Sequence, residues 1–279
     1  MTRVFGEDGD ALARAGADVG ALRALEDEVA EAVASLPRGG SIDAHVHLGR
    51  DADGHAMDPE DLLADLERWT IEAAVCFPAN EPGADKQFAS ANAAIIAAAD
   101  AAPGRVIPFC RVDPTQPGAL DAVARASAAG ARGLKLHPVA QRFRPEQEEV
   151  VEVVRDAATR GWPVTVHAGF GARPLAEPIA ALIVEVPEAR LVLAHGGRGD
   201  ARALAARLEG WPNVMLDTSL AALADLAALP PSRLVFGSDR PYGDHATALL
   251  LVRRAADVAG WGDEELAGVM GGNLRRWVP

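Results

Sequence analysis

Ile42-Asp43-Ala44-His45-Val46-His47-Leu48 is a short run of mostly apolar residues closed by polar ones, and it is the first of eight such runs. The others fall at 73–78, 105–112, 131–137, 163–168, 190–195, 213–218 and 233–239. They are apolar almost throughout rather than alternating, the pattern of parallel strands covered on both faces. Helical patterns lie between them. Asp58-Pro59-Glu60-Asp61 reads as a cap followed by proline at the first helical position, after which Leu62, Leu63, Leu66 and Trp69 share one face. Comparable faces are Leu120/Val123/Ser127, Val150/Val153/Val154, Leu175/Ile179/Leu182/Val186, Leu204/Leu208, Leu220/Leu223/Leu226 and Leu266/Val269/Met270/Leu274. Strands alternating with helices predict right-handed βαβ units and a parallel sheet. Eight units in about 240 residues fit an α/β fold of the (β/α)8 TIM-barrel type, with a doubly wound open sheet as the alternative. Residues 1–40 form an N-terminal helical extension whose segment 20–36 (Leu22, Leu25, Val29, Val33) is expected to close the barrel bottom. Residues 41–279 form the barrel, a single domain.

Composition narrows the partners. The chain has 279 residues, 49% of them hydrophobic, so a packed core is available and wholesale disorder is excluded. Lys and Arg number 27 against 40 Asp and Glu, a formal charge of −13, which excludes nucleic acid and an anionic membrane surface as main partners. No apolar run reaches the roughly 18 residues of a membrane span, and Met1-Thr2-Arg3-Val4 opens no secretory apolar segment. Cys76 and Cys110 lie inside apolar runs and read as buried free thiols, so a cytoplasmic location is expected. The acidic surface still permits a homodimer. The alanine tracts and the preference for Arg over Lys look like coding bias. Against that background only Lys86, expected to face solvent, and Lys135 are lysines.

A barrel of this kind builds its active site at the C-terminal ends of its strands. Those ends carry His45 and His47; Lys135 and His137; His167; His195; and Asp239. Five of the seven histidines are therefore on the rim, with His55 and His245 elsewhere. His45 and His47 are two apart and share one strand face. Alone they would read as hydrogen-bonded histidines at a polar strand end. Convergence with His167 and Asp239 gives three imidazoles and a carboxylate, a set suited to one Zn²⁺ or Mn²⁺ with a position open for water. The alternative is a metal-free barrel using the same histidines as hydrogen-bond donors. A divalent ion lowers the pKa of bound water to roughly 7. Asp239 is placed both to ligate and to accept a proton, and His195 to polarise a carbonyl or shuttle one.

Lys135 can be neutralised by burial, form a Schiff base, become carbamylated and bridge two metals, or simply pair with an acid. His137 shares its strand end. Arg111 is placed to bind a substrate carboxylate or to form a supporting salt bridge. Gly196-Gly197-Arg198-Gly199-Asp200 could seat a phosphate or merely form a tight turn. Dinucleotide, P-loop and nucleophile-elbow motifs are missing from the sequence.

Five phrases together resemble the amidohydrolase superfamily: Ile42-Asp43-Ala44-His45-Val46-His47, Gly133-Leu134-Lys135-Leu136-His137-Pro138, Val166-His167-Ala168-Gly169, Leu193-Ala194-His195-Gly196-Gly197 and Phe236-Gly237-Ser238-Asp239-Arg240-Pro241. More narrowly they resemble its amidohydrolase-related branch of single-metal barrels, which includes aminocarboxymuconate-semialdehyde decarboxylase. The resemblance implies one zinc-like ion on His45, His47, His167 and Asp239, with His195 beside the substrate. Lys135 matches by position the lysine that bridges two ions in other relatives, so a second metal stays open. The expected activity is a metal-dependent hydrolysis of a small amide, lactone or ester, with Asp239, His195 and Lys135 catalytic. The alternative is a lyase, a decarboxylase or hydratase acting on a small unsaturated or aromatic carboxylic acid. A barrel that only binds a ligand is the third reading.

Overall fold

The computed structural model describes residues 11–37, 39–81, 83–198 and 200–278. Eight parallel strands form the barrel: β1 (Ile42–Arg50), β3 (Ala73–Pro78), β4 (Val106–Arg111), β5 (Gly133–Leu136), β6 (Pro163–Val166), β7 (Arg190–Leu193), β8 (Val214–Asp217) and β9 (Leu234–Val235), each pairing with the next. A two-residue strand, β2 (Ala56–Met57), folds back antiparallel on the end of β1. The chain beyond β9 closes the ring. Ala44 donates to the Phe236 carbonyl at 2.8 Å, Asp239 to that of His45 at 2.9 Å and His47 to that of Arg240 at 2.8 Å. The doubly wound alternative is thereby excluded. The eight expected runs match the eight strands to within two or three residues, once β9 is extended through these closing bonds.

The helices follow their local signals. In α2 (Pro59–Arg68) Asp58 accepts from the Glu60 and Asp61 amides, Pro59 opens the first turn, and Leu62 and Leu66 are buried. The sequence pattern did not mark α3 (Ala89–Ala101) or α9 (His245–Ala259). In α3 alanine surrounds the helix on every face, and in α9 the Leu249-Leu250-Leu251 run blurs the 3.6-residue period. Further helices outside the barrel are α4 (Ala119–Ala129), α5 (Glu148–Thr159), α6 (Ala176–Glu185), α7 (Ala201–Ala205) and α8 (Leu223–Ala228). The expected helix around Leu266–Leu274 is interrupted by a π segment, Gly268–Gly272. There Gly271 approaches the chain so closely that a Cβ would lie 2.1 Å from the Gly40 carbonyl oxygen.

Inside the barrel Ile42, Val75, Phe77, Phe109, Val192, Met215 and Val235 pack together with Leu274 and Val278 of the C-terminal segment. Gly133 leaves room for the Phe109 ring, which a Cβ would meet at 2.4 Å. The bottom is therefore filled by the C-terminus, not by the N-terminal extension. The extension's helix α1 (Val19–Ala34) instead packs outside against α9, buries Val29 and Ala32, and is tied there by the Arg254–Glu28 pair at 2.7 Å. An amphipathic helix with one narrow apolar stripe is covered by a neighbouring helix more easily than by the ring of strand ends. Residues 1–10 of the extension lie outside the described residues.

Cys76 and Cys110 are buried and unpaired, and burial pushes the Cys110 thiol up to about 12. Lys86 is exposed and donates to Gln116. Among the described residues no helix is long and apolar enough to cross a membrane.

Candidate metal centre and active site

β1 presents His45 and His47 toward the barrel axis, with Phe77 of β3 beneath both rings at centroid distances of 5.0 and 4.7 Å. Asp239 follows β9 in a left-handed conformation (φ 61°) and brings its Oδ1 to 3.1 Å from His45 Nε2 and 3.3 Å from His47 Nε2. The two imidazole nitrogens are 3.2 Å apart. These three contacts match the edges of a tetrahedron with metal–ligand bonds of 2.0–2.1 Å, about 3.3 Å. The rear nitrogen of His45 supports the same assignment. Its Nδ1 lies 2.7 Å from Asp217 Oδ2, the carboxylate–histidine arrangement that orients metal-binding imidazoles. Burial pulls His47 down to about 3, so its ring is neutral and its lone pair free at neutral pH. Burial and Lys135 work against protonating His45, but Asp217 and Asp239 outweigh them and raise its pKa. Burial alone would raise Asp239; His45 and His47 instead hold it well below the usual carboxylate range. The donor set fits a divalent ion.

Asp217, at the end of β8, was not singled out in the sequence. Its carboxylate also accepts from the His195 amide at 2.9 Å and the Ser219 amide at 3.0 Å. The signal available was an aspartate ending the run 213–218, the only acidic group in an otherwise apolar strand.

Of the four expected ligands, the structure gathers His45, His47 and Asp239. His167, just beyond β6, stands outside that compact group. Its Nδ1 is 3.2 Å from His195 Nε2, its Nε2 is 3.0 Å from the Phe170 carbonyl, and its ring stacks on His137 at 4.0 Å. Burial draws His167 down to about 3 and His195 to about 4, so both are neutral at pH 7. His195 occupies a left-handed turn (φ 60°, ψ 32°) followed by Gly196 and Gly197, also left-handed, which is the tight-turn reading of those glycines. Gly169 allows the approach of His195, whose Cδ2 would be 2.5 Å from any Cβ there. His195 Nδ1 faces the Ser219 hydroxyl at 3.0 Å.

Lys135 is fully buried, with its amine 3.1 Å from His45 Nε2 and 4.2 Å from the centre of the Phe77 ring. Burial draws it down to about 7, against the pull of Asp239 and Asp217. Arg111 ends β4, fully buried beside the ring of Phe88, with burial lowering its pKa to about 10. Its Nη2 reaches Asn80 at 3.4 Å, while among the described residues Nε and Nη1 have no hydrogen-bond partner. His47, Arg111, His137, His167, His195, Asp239 and Tyr242 line one cavity of about 330 Å³. Tyr242 donates to Asp51 and sets one wall against His47, at 5.1 Å between rings. His245 is not at this cavity. It lies behind it, 2.9 Å from Asp43, whose carboxylate also accepts from the His45 amide at 2.9 Å and the Ser238 amide at 3.0 Å.

An amidohydrolase family model matches residues 42–279, the whole barrel. The chain belongs to the amidohydrolase family. No curated protein matches it. Among solved structures, this amidohydrolase is similar to a 2,6-dihydroxybenzoate decarboxylase from Rhizobium (14% identity, 86% of this chain and 98% of that one, TM-score 0.67). It is also similar to a probable 2-pyrone-4,6-dicarboxylic acid hydrolase from Acinetobacter baumannii with citric acid bound (15%, 86% and 99%, TM-score 0.60). A third similar structure is an amidohydrolase from Burkholderia multivorans with bound HEPES (18%, 86% and 100%, TM-score 0.66). At these identities the likeness carries the fold, and the chemistry rests on the site.

Proposed function

We propose that this amidohydrolase is a metal-dependent hydrolase of a small amide, lactone or ester that also carries a carboxylate. The observation that supports the reading most is the pairing of two features in one cavity: the His45–His47–Asp239 donor group, and the buried Arg111 with two unpartnered nitrogens. An orphaned buried guanidinium is costly unless an anion completes it. One divalent ion, Zn²⁺ with Mn²⁺ as the substitute, would be held by His45, His47 and Asp239, with His167 proposed as the fourth donor. When bound, that ion supplies a Lewis acid for a carbonyl oxygen and acidifies water.

The chain's own residues do the rest. Arg111 binds the substrate carboxylate and fixes the scissile carbonyl over the histidines. Asp239, ionised throughout the working range, accepts the proton of the attacking water on its carboxylate oxygen. His195, neutral at pH 7 with its Nδ1–H directed at the Ser219 carbonyl and hydroxyl oxygens, offers the Nε2 lone pair to shuttle a proton at the reacting centre, and Gly169 leaves room for its ring. Lys135, with a pKa near neutrality, exchanges a proton with the departing group.

A second reading is a lyase that removes carboxylate from an aromatic or unsaturated acid. It is favoured by the buried Arg111 lining the cavity, by the buried Lys135 amine beside His45, and by the decarboxylase among the similar folds. The test is to load the protein with Zn²⁺ or Mn²⁺ and offer carboxylated lactones, esters and amides beside benzoate-type and unsaturated acids. Acid release and CO₂ release are followed together. Ring opening or ester cleavage without CO₂ is expected. CO₂ release from the acids would replace the hydrolase reading with the lyase. Inactivity of the loaded protein on every class would contradict both.

A further inference from the structure

The loops leaving β5 and β6 enclose a second cavity, about 660 Å³, which shares no residue with the histidine site. The two loops run close together at Val139 and Gly171, where a Cβ built on the glycine would lie 3.4 Å from Val139 Cγ1. Pro138, Phe143 and Leu175 contribute apolar lining, and Phe143 and Leu175 are buried. The rim carries three arginines. Arg144 pairs with Glu146, and the one acid of the lining, Glu177, is taken by Arg207. Arg142 and Arg173 are exposed, and among the described residues neither side chain has a hydrogen-bond or ion-pair partner. The rim thus presents two uncompensated cations over an apolar floor.

Arg142 also holds a left-handed backbone (φ 57°), a conformation disfavoured for a non-glycine residue. Gln141 anchors it there. The Gln141 Oε1 accepts from the His137 amide at 2.8 Å and its Nε2 donates to the Val112 carbonyl. The loop is therefore fixed rather than loose, and its volume lies within the range of roughly 300–1,000 Å³ typical of small-molecule sites.

We infer that this cavity binds a small organic anion with an apolar body, the acid group between Arg142 and Arg173 and the body against Phe143 and Leu175. Such a ligand has two sources, the distal acid of an elongated substrate whose other end lies at Arg111, or a separate carboxylic acid. The site shares its loops with His137 and His167, so either source would be felt at the centre.

Fluorine NMR with 4-(trifluoromethyl)benzoate tests the site directly on the full chain. Arg142→Ala/Arg173→Ala, with circular dichroism and metal content matching the parent, should weaken one class of bound probe at least tenfold. Arg111→Ala should leave that class intact. Unchanged binding in the folded double variant would overturn the inference. Dodecanedioate then separates the sources. Loss of its affinity in both variants identifies an elongated substrate, and loss in the Arg142/Arg173 variant alone identifies a separate acid. Loss in Arg111→Ala alone would again overturn it. None of these readings needs turnover, so failure of the hydrolase assignment leaves them standing.

Discussion

The two ends of the barrel are built from the same strands and solve opposite problems. At the bottom, Ile42, Val75, Val192, Met215 and Val235 pack against Leu274 and Val278, and every side chain is satisfied by contact alone. At the rim, the strand ends carry histidines, carboxylates and buried cations, and among the described residues several polar atoms there (His47 Nδ1, Arg111 Nε and Nη1) have no hydrogen-bond partner. Phe77 and Phe109 stand at the boundary, and Phe77 meets His45, His47 and Lys135 directly. Backbone strain divides the same way. Of the left-handed non-glycine residues among the described ones, Phe88, Arg142, His195, Leu220 and Asp239 lie in loops leaving the strand ends, and only Thr70 lies on the opposite side. The bottom holds stability and the rim holds unfinished chemistry.

Substitutions at the rim should cost activity far more than folding. Asp239→Asn or His47→Ala should lower kcat/KM by a factor of about 100 or more while the unfolding midpoint without added metal stays near that of the parent, because the polar cluster is completed only by its ligand. Steady-state kinetics beside denaturant titration checks the split, and an equal loss of both would erase the distinction between the ends.

Below the boundary the order should reverse. Phe109→Ala empties the space that Gly133 leaves for its ring and should cost about 3–5 kcal/mol of stability. Denaturation by urea measures it, and a change below about 1 kcal/mol would mean the bottom is not the stabilising end.

Asp43 sharpens the boundary, since its carboxylate joins β1, Ser238 and His245 behind the site. Asp43→Ala should destabilise by about 3 kcal/mol and shift the His45 and Asp239 positions with it, seen as weakened metal uptake. Normal uptake in a destabilised variant would confine Asp43 to folding.

The smallest effect concerns pH. Burial opposes charge on His245, but Asp43 and Asp65 outweigh it and raise its pKa above 6.5. The stability it contributes is therefore fully present below about pH 6.5 and is lost as pH rises through the raised value. Melting curves from pH 6 to pH 9 should slope downward less in His245→Gln than in the parent, and identical slopes would remove His245 from the account.

Much of this was legible in the residues. The eight apolar runs located the strands because a parallel sheet buried on both faces leaves no alternation to misread, and the polar residues ending those runs marked the rim. The N-terminal helix was misplaced because a lone amphipathic stripe states that a partner exists without saying which. The helices at 89–101 and 245–259 were hidden by alanine and leucine runs that flatten the helical period. Asp217 escaped because its role is to orient His45 and His195, and such a role is written in distances, not in spacing. The ligand group was read from separate strand ends, and the structure gathers three of its members while His167 turns toward His195.

Metal binding tests the central claim most directly. Purified protein freed of metal is titrated with Zn²⁺ while thermal unfolding and bound metal are followed, alongside Asp239→Asn. One ion per chain should bind the parent and raise its unfolding temperature, by RT ln(1 + [Zn²⁺]/Kd) in free energy, and the variant should show neither effect. A parent that takes up no ion, or a variant stabilised as strongly as the parent, would contradict the assignment of His45, His47 and Asp239 as a metal centre.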